Sequence, residues 1–361
     1  MEKTHHLKIS LTDDSAEKGA VYLTGNFNGW KPADRRYQMT PQGDHHYQIE
    51  IPTNIIPEEG LAYKYTRGDW SAVELNHSGK HTPNRKWESG MNSPEDTVAK
   101  WLHDPDLSYP DFYPIIEDLS TKFTIPEPVK TRRISILLPW NYNQSSERYP
   151  VVYLQDGQNL FQDKSPYGNW HIDRKAARLA AQKGKGIIIL AVDHSNENRI
   201  AEYMPPHIPD RAEAYGKDYV AFLINEVIPY INRNYRTKED AGNTIIGGSS
   251  MGGLISLYAQ IAYPRIFGKA LIFSPSLWVI PNIRDWLYQN KSADEETVTY
   301  IYCGGRESRE MVTQVMLLYQ GLMELNRDKE VMLTINSLGE HNETFWGEAF
   351  YQSLEFILQE S

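Results

Sequence analysis

Cysteine is nearly absent from this chain: Cys303 stands alone among 361 residues. A single thiol forms no intramolecular disulfide and no cysteine-based zinc site. HExxH and other metal-ligand spacings are also missing, so neither a metal nor an organic cofactor is expected. No apolar run is long enough to span a bilayer, and no membrane partner is expected. The opening Met1-Glu2-Lys3-Thr4-His5-His6 lacks the apolar region of a signal peptide. A soluble, cytoplasmic protein is therefore expected, or a secreted one if the chain has been trimmed. Positive charge is in deficit, with 37 Lys and Arg against 47 Asp and Glu, a formal net charge of −10. That balance argues against a nucleic-acid or anionic-membrane surface. No internal repeat or low-complexity tract occurs, and nothing in the sequence sets an oligomeric state.

What is present is ordinary globular material, 40% hydrophobic and 23% charged, at a length that suits about two domains. The pattern changes along the chain accordingly. Residues 1–103 read as all-β: His6 to Leu11 and His46 to Ile51 alternate at period two, with Gly, Asn, Pro and Asp punctuating the runs. Residues 104–125, with Pro105, Pro110 and Pro114 and several acids, show no period and read as a surface linker. Residues 126–361 alternate strand-like and helix-like segments, which predicts an α/β fold: a three-layer α/β/α sandwich on a mostly parallel sheet. Strands are expected at 132–139, 149–155, 186–192, 269–273, 298–303 and 331–335, and one long helix over 215–232.

The chemistry centres on Thr244 to Gly253. A short apolar run enters Gly248-x-Ser250-x-Gly252 and a helical run leaves it, the context of a nucleophile elbow. Glycines flanking Ser250 allow the tight turn from strand to helix. The Met251 N–H, at the helix N-terminus, would face a developing oxyanion. Ser249 does not fit the frame, because Met251 stands where a glycine is required. In such proteins the acid and the histidine follow the serine in the chain. Of 11 histidines, only His341 lies after Ser250. Glu307, in a loop between a strand and a helix, is the best-placed acid. It would hold the imidazole tautomer and stabilise the imidazolium. The second oxyanion donor is expected at Gly157 or Gln158, in the loop after an early strand, where Gly157 would let backbone approach substrate closely.

Taken together, Tyr153-Leu154-Gln155-Asp156-Gly157-Gln158-Asn159-Leu160-Phe161, Trp170-x-x-Asp173, Gly248-Ser249-Ser250-Met251-Gly252-Gly253, Cys303-Gly304-Gly305-x-Glu307-Ser308 and Gly339-Glu340-His341-Asn342 resemble the esterase-D superfamily of α/β-hydrolases. That group includes enterochelin, feruloyl and acetyl-xylan esterases. The resemblance implies Ser250 as nucleophile, His341 as base and Glu307 as acid. Asn159, Trp170, Arg199, Trp278 and Trp346 lie on or near loops at the same sheet edge and are candidates for substrate binding. In the first 103 residues, Gly25-Asn26-Phe27-x-Gly29-Trp30 and Tyr63-Lys64-Tyr65-Thr66-Arg67-Gly68-x-Trp70 resemble the starch- and glycogen-binding modules. These are immunoglobulin-like β-sandwiches whose exposed aromatics stack on sugars. Trp30, Trp70 and Trp87 are the candidates here, against the alternative that they pack inward.

The expected reaction is hydrolysis of a carboxylic ester through an acyl-enzyme. The expected partner is a small-molecule or oligosaccharide ester. An acylated carbohydrate, a feruloyl or acetyl ester, is favoured by the sugar-module resemblance. A siderophore lactone is the alternative; its anionic iron complex would call for clustered cations, and Arg199 and Arg306 are available. A third possibility, from a different class, is a catalytically silent carbohydrate-binding protein.

Overall fold

The computed structural model describes residues 5–359, apart from 16–18, 44, 77–81, 103–108, 124–126, 130–131, 162–164, 166, 209–213, 293–294 and 326–328. It divides into two compact units, residues 1–110 and 111–361.

The first unit is the smaller and is β-rich. Its strands are β1 (His6–Asp13), β2 (Tyr22–Gly25), β3 (Thr40–Pro41), β4 (His46–Pro52), β5 (Leu61–Thr66), β6 (Glu74–Leu75), β7 (Arg85–Trp87), β8 (Glu95–Val98) and β9 (Lys100–Trp101). They form a four-stranded sheet in the order β3-β4-β1-β8, a three-stranded sheet β2-β5-β7 and a β6-β9 pair. Period-two alternation sends Leu7, Ile9 and Leu11 of β1 and Ile49 and Ile51 of β4 inward. They join Leu23 and the β5 residues Leu61, Tyr63 and Tyr65 in one core.

The second unit is built on an eight-stranded sheet. Its strands are β10 (Ile115–Asp118), β11 (Ile134–Leu138), β12 (Val151–Gln155), β13 (Ile188–Val192), β14 (Thr244–Ser249), β15 (Lys269–Phe273), β16 (Thr297–Gly304) and β17 (Lys329–Asn336). The order is β10-β11-β13-β12-β14-β15-β16-β17. From β13 to β17 every pairing is parallel, while β10 and β11 run antiparallel at one edge. The helices are α1 (Ile172–Lys183), α2 (Arg199–Glu202), α3 (Gly216–Phe222), α4 (Ile228–Asn234), α5 (Met251–Ala262), α6 (Ile283–Asn290), α7 (Met311–Leu325) and α8 (Glu343–Ile357). The sheet is apolar on both faces because both are covered. Val151 and Tyr153 of β12 face one core with residues of α3, α5, α6 and α7, whereas Val152 and Leu154 face the other with α1 and α8. The core is thus an α/β-hydrolase sandwich on a mixed sheet.

Two sequence expectations need correction. The stretch 104–125 is not all linker: Ile115 to Asp118 pair with Leu138 to Ser135 as the outermost strand of the sheet. A four-residue edge strand with two isoleucines followed by two acids carries too little period to be read. The helix expected over 215–232 is interrupted by a π turn at Leu223–Val227. Pro229, just inside α4, supplies no N–H and crowds the carbonyl one turn back, and the widened turn accommodates it.

Candidate active site

All the strands from β12 to β17 that run parallel end at one edge of the sheet, and the turns and loops leaving that edge carry Ser250, Glu307, His341, Gly157 and Gln158. Ser250 follows β14, near the middle of the sheet, and caps α5. Its backbone sits at φ 56°, ψ −121°, a strained geometry for a residue with a side chain. The turn is clamped from both sides: the Ser250 N–H donates to the Phe273 carbonyl at 2.9 Å, and its own carbonyl accepts from the Ser276 N–H at 3.0 Å. The neighbouring glycines are set by packing. A Cβ on Gly248 would lie 2.9 Å from the Gly252 backbone, and one on Gly252 would lie 2.7 Å from Asp156 Oδ2.

Three predicted residues meet in a hydrogen-bonded line. His341, in the loop after β17, places Nε2 3.1 Å from Ser250 Oγ. Its Nδ1 lies 2.8 Å from Oε2 of Glu307, in the loop after β16. The Glu307 side chain is 1% exposed and that of His341 37%. The other carboxylate oxygen of Glu307 accepts from the Gly304 N–H and from the Ser274 hydroxyl. A carboxylate held by these donors presents an acceptor to Nδ1, which fixes the proton there and leaves Nε2 free to accept from Ser250. Cys303, close by, is no rival nucleophile: burial pushes its thiol up to about 12.

Two serines in this network were not anticipated. Ser274 and Ser276 flank Pro275 just after β15, and Ser276 Oγ lies 3.1 Å from Ser250 Oγ. The available signal was Ser-Pro-Ser directly after an apolar strand, at the same sheet edge as the elbow.

The loop after β12 begins with Asp156 in the left-handed region at φ 59°, followed by a short turn over Gly157–Asn159. Gly157 is required by packing on the adjacent strand end, since a Cβ there would lie 2.7 Å from Asp193 Oδ1 and 2.9 Å from the Ala191 carbonyl carbon. The Gln158 side chain accepts from the His194 N–H at 3.2 Å. Asn159 is 8% exposed and donates to Glu343 Oε1 at 3.2 Å, tying this loop to the start of α8. Burial, with Asp156 nearby, raises the Glu343 carboxyl above its ordinary value.

The remaining candidates separate by burial. Trp170 is in the core against Phe273, Trp346 and Phe350 and offers no face to a ligand. Trp346 is also buried; it packs edge-on to His341 with ring centroids 4.8 Å apart. Arg199 makes a bidentate ion pair with Asp156, at 2.7 and 2.9 Å, so its charge is already balanced. Trp278, two residues past Ser276, is 61% exposed and stands free at the rim. Arg306 is exposed on the loop that carries Glu307. In the first unit, Trp30 and Trp70 are half-buried neighbours with centroids 6.3 Å apart. Trp87 packs partly against the core and its Nε1–H donates to the Asn92 carbonyl. Among the described residues, no cluster of His, Cys, Asp and Glu could hold a metal ion, and no helix is long and apolar enough to cross a membrane.

Residues 126–357, which include this whole constellation, match the family model "Putative esterase". The chain belongs to this esterase family. It is a serine esterase, a carboxylic-ester hydrolase. The esterase is 23% identical over 309 residues to an endo-1,4-beta-xylanase/feruloyl esterase of Xylanibacter ruminicola; the match covers 82% of this chain but 36% of that protein. It is 33% identical over 165 residues to the siderophore enterobactin esterase of Emericella nidulans, covering 40% of this chain and 52% of that one. The chain therefore spans about a third and about half of these relatives. Its fold is similar to that of the enterobactin esterase of Shigella flexneri, with a TM-score of 0.53 at 17% identity, over 98% of this chain and 93% of that one.

Proposed function

We propose that the esterase works through a Ser250-His341-Glu307 triad and an acyl-enzyme. Ser250 attacks the ester carbonyl while His341 Nε2 takes its proton, Glu307 steadies the imidazolium, and the N–H groups of Met251 and of Gly157 or Gln158 receive the oxyanion. Return of the proton releases the alcohol, and water then repeats the cycle on the acyl-enzyme. The observation that carries this reading is the unbroken line from Ser250 Oγ through the imidazole to a carboxylate 1% exposed. Ser250→Ala should lower ester hydrolysis by about 10³-fold or more, whereas Ser249→Ala should stay active; the reverse result overturns the assignment.

For the substrate, a siderophore ester is better supported than the acylated carbohydrate expected from sequence. The likeness to an enterobactin esterase runs through both units of the chain, and a curated siderophore esterase is among the relatives. The acylated-carbohydrate reading retains the support of the endo-1,4-beta-xylanase/feruloyl esterase relative that matches 82% of this chain. With Arg199 paired, Arg306, exposed on the loop that carries Glu307, is a cation available near the triad for an anionic ligand. Side-by-side hydrolysis of an enterobactin-type trilactone, methyl ferulate and acetylated xylo-oligosaccharides decides between them. A kcat/KM for the trilactone below that for methyl ferulate overturns the siderophore reading. For the first unit, an immunoglobulin-like sandwich retaining polysaccharide through the Trp30–Trp70 pair is the corresponding proposal. It fails if Trp70→Ala leaves retention on starch unchanged.

A further inference from the structure

We infer that Ser276 is a second hydroxyl of the catalytic centre, donating a hydrogen bond to the oxygen of the nucleophile itself. The inference rests on the reading of Ser250 as nucleophile and His341 as base. It follows from counting hydrogens. Glu307 presents Oε2 to His341 Nδ1 at 2.8 Å, so the imidazole carries its proton on Nδ1 and Nε2 is a lone-pair acceptor. Nε2 lies 3.1 Å from Ser250 Oγ, and the one hydrogen of Ser250 belongs to that contact. Ser276 Oγ is also 3.1 Å from Ser250 Oγ. A hydrogen bond there needs a second hydrogen, and Ser276 is the partner that has one to give.

The placement is fixed by the fold. Ser276 is 3% exposed, and its backbone N–H donates to the Ser250 carbonyl at 3.0 Å. The other hydroxyl of the same loop, on Ser274, is directed to Glu307. Ser276 is thus held to the elbow twice, by main chain and by side chain.

The chemistry follows from how an acceptor changes during the reaction. As the proton moves from Ser250 Oγ to Nε2, an Oγ lone pair forms the new C–O bond and the carbonyl π pair moves onto the oxyanion. Charge on Oγ rises on the way, and a donor already aimed at it becomes a charge-assisted hydrogen bond without reorganisation. In the acyl-enzyme Oγ is an ester oxygen and a poorer acceptor, so the same bond weakens. When water attacks and the tetrahedral species collapses, Oγ leaves with its electron pair and regains the proton from Nε2, and the Ser276 bond is restored. No proton leaves Ser276 at any stage. Its effect is on the rate of making and breaking the Ser250 bond, with little effect on substrate affinity.

The test is Ser276→Ala in the full chain, with p-nitrophenyl acetate as substrate and each rate expressed per site titrated by paraoxon. The backbone tie from residue 276 to the Ser250 carbonyl survives in this variant. We expect kcat and the second-order rate of paraoxon inactivation to fall together by roughly 10- to 100-fold, as for loss of one hydrogen bond to a charged centre, with KM nearly unchanged. An Ala variant as active as the parent overturns the inference. So does a faster one, because it would show Ser276 accepting the Ser250 proton in competition with His341. Ser250→Ala is run beside it. If that variant is inactive and Ser276→Ala is not impaired, only this inference falls; if Ser250→Ala keeps full activity, the underlying assignment falls with it.

Discussion

The indole N–H of Trp346 donates to the hydroxyl of Ser274 across 2.8 Å, and that hydroxyl donates in turn to Glu307. The same ring stands edge-on to His341 at 4.8 Å. One buried aromatic therefore braces Glu307 through a serine and His341 by direct packing. Trp346→Phe keeps a ring and removes the N–H, and kcat should drop by about 3- to 10-fold with KM steady, the scale of one hydrogen bond. Trp346→Ala should also lower fold stability by about 3–5 kcal/mol. Steady-state kinetics and denaturant melts of both variants check this; a Phe variant with parental kcat denies the brace any role in turnover.

Glu307→Gln should be at least as damaging as Glu307→Ala. The Gly304 N–H and the Ser274 hydroxyl both demand an acceptor, so the amide oxygen takes that side and its NH2 turns to His341. A donor facing Nδ1 forces the proton onto Nε2, where it cannot accept from Ser250. Losses of about 10³- to 10⁴-fold in kcat are expected. The comparison of the two variants on one aryl ester is the check, and a Gln variant clearly faster than Ala would contradict it.

Much of this site could be read before the fold was known, because its signals are local. Gly248-x-Ser250-x-Gly252 between an apolar run and a helical run declares itself, and chain order left His341 as the one eligible histidine. Glu307 followed from a loop that leaves a strand and opens a helix. The helping serines could not be read in the same way. Ser274 and Ser276 matter only because β15 lies beside β14 in the sheet, and strand adjacency is a tertiary fact. Nor could burial of Trp170 and Trp346 be told from rim exposure of Trp278, since an aromatic in a loop carries no period that says which way it faces.

Glu343 sets a pH dependence of stability. Burial, helped by Asp156, raises its carboxyl above the ordinary 4.5, so the folded chain holds this proton to higher pH than the unfolded chain. The stabilisation is complete below the ordinary value and is lost as pH rises through the raised one. Glu343→Gln removes that loss while still offering Asn159 an acceptor. Its melting temperature should exceed the parent's at neutral pH, and the gap should close as pH falls toward 4.5. Thermal melts from there to about pH 8 test the sign.

The chemistry should not require the first unit. The proposed triad, Ser250, His341 and Glu307, and both proposed oxyanion loops belong to residues 111–361, which form a unit of their own. A chain of residues 111–361 should hydrolyse a small aryl ester. One beginning at residue 120 lacks β10; it exposes the edge of β11 and should melt lower and aggregate more readily. Absence of turnover in a well-folded 111–361 chain would place an essential group in the first unit.

The backbone at Ser250 places selection for turnover and selection for thermal endurance in opposition at a single residue. A side chain held at φ 56°, ψ −121° stores on the order of 1–3 kcal/mol that the rest of the sheet must absorb. Glycine would relieve it and remove the proposed nucleophile. Directed evolution for heat resistance alone would therefore find its simplest gain at the residue the enzyme can least spare. A screen for heat-resistant variants has to ask for activity in the same step.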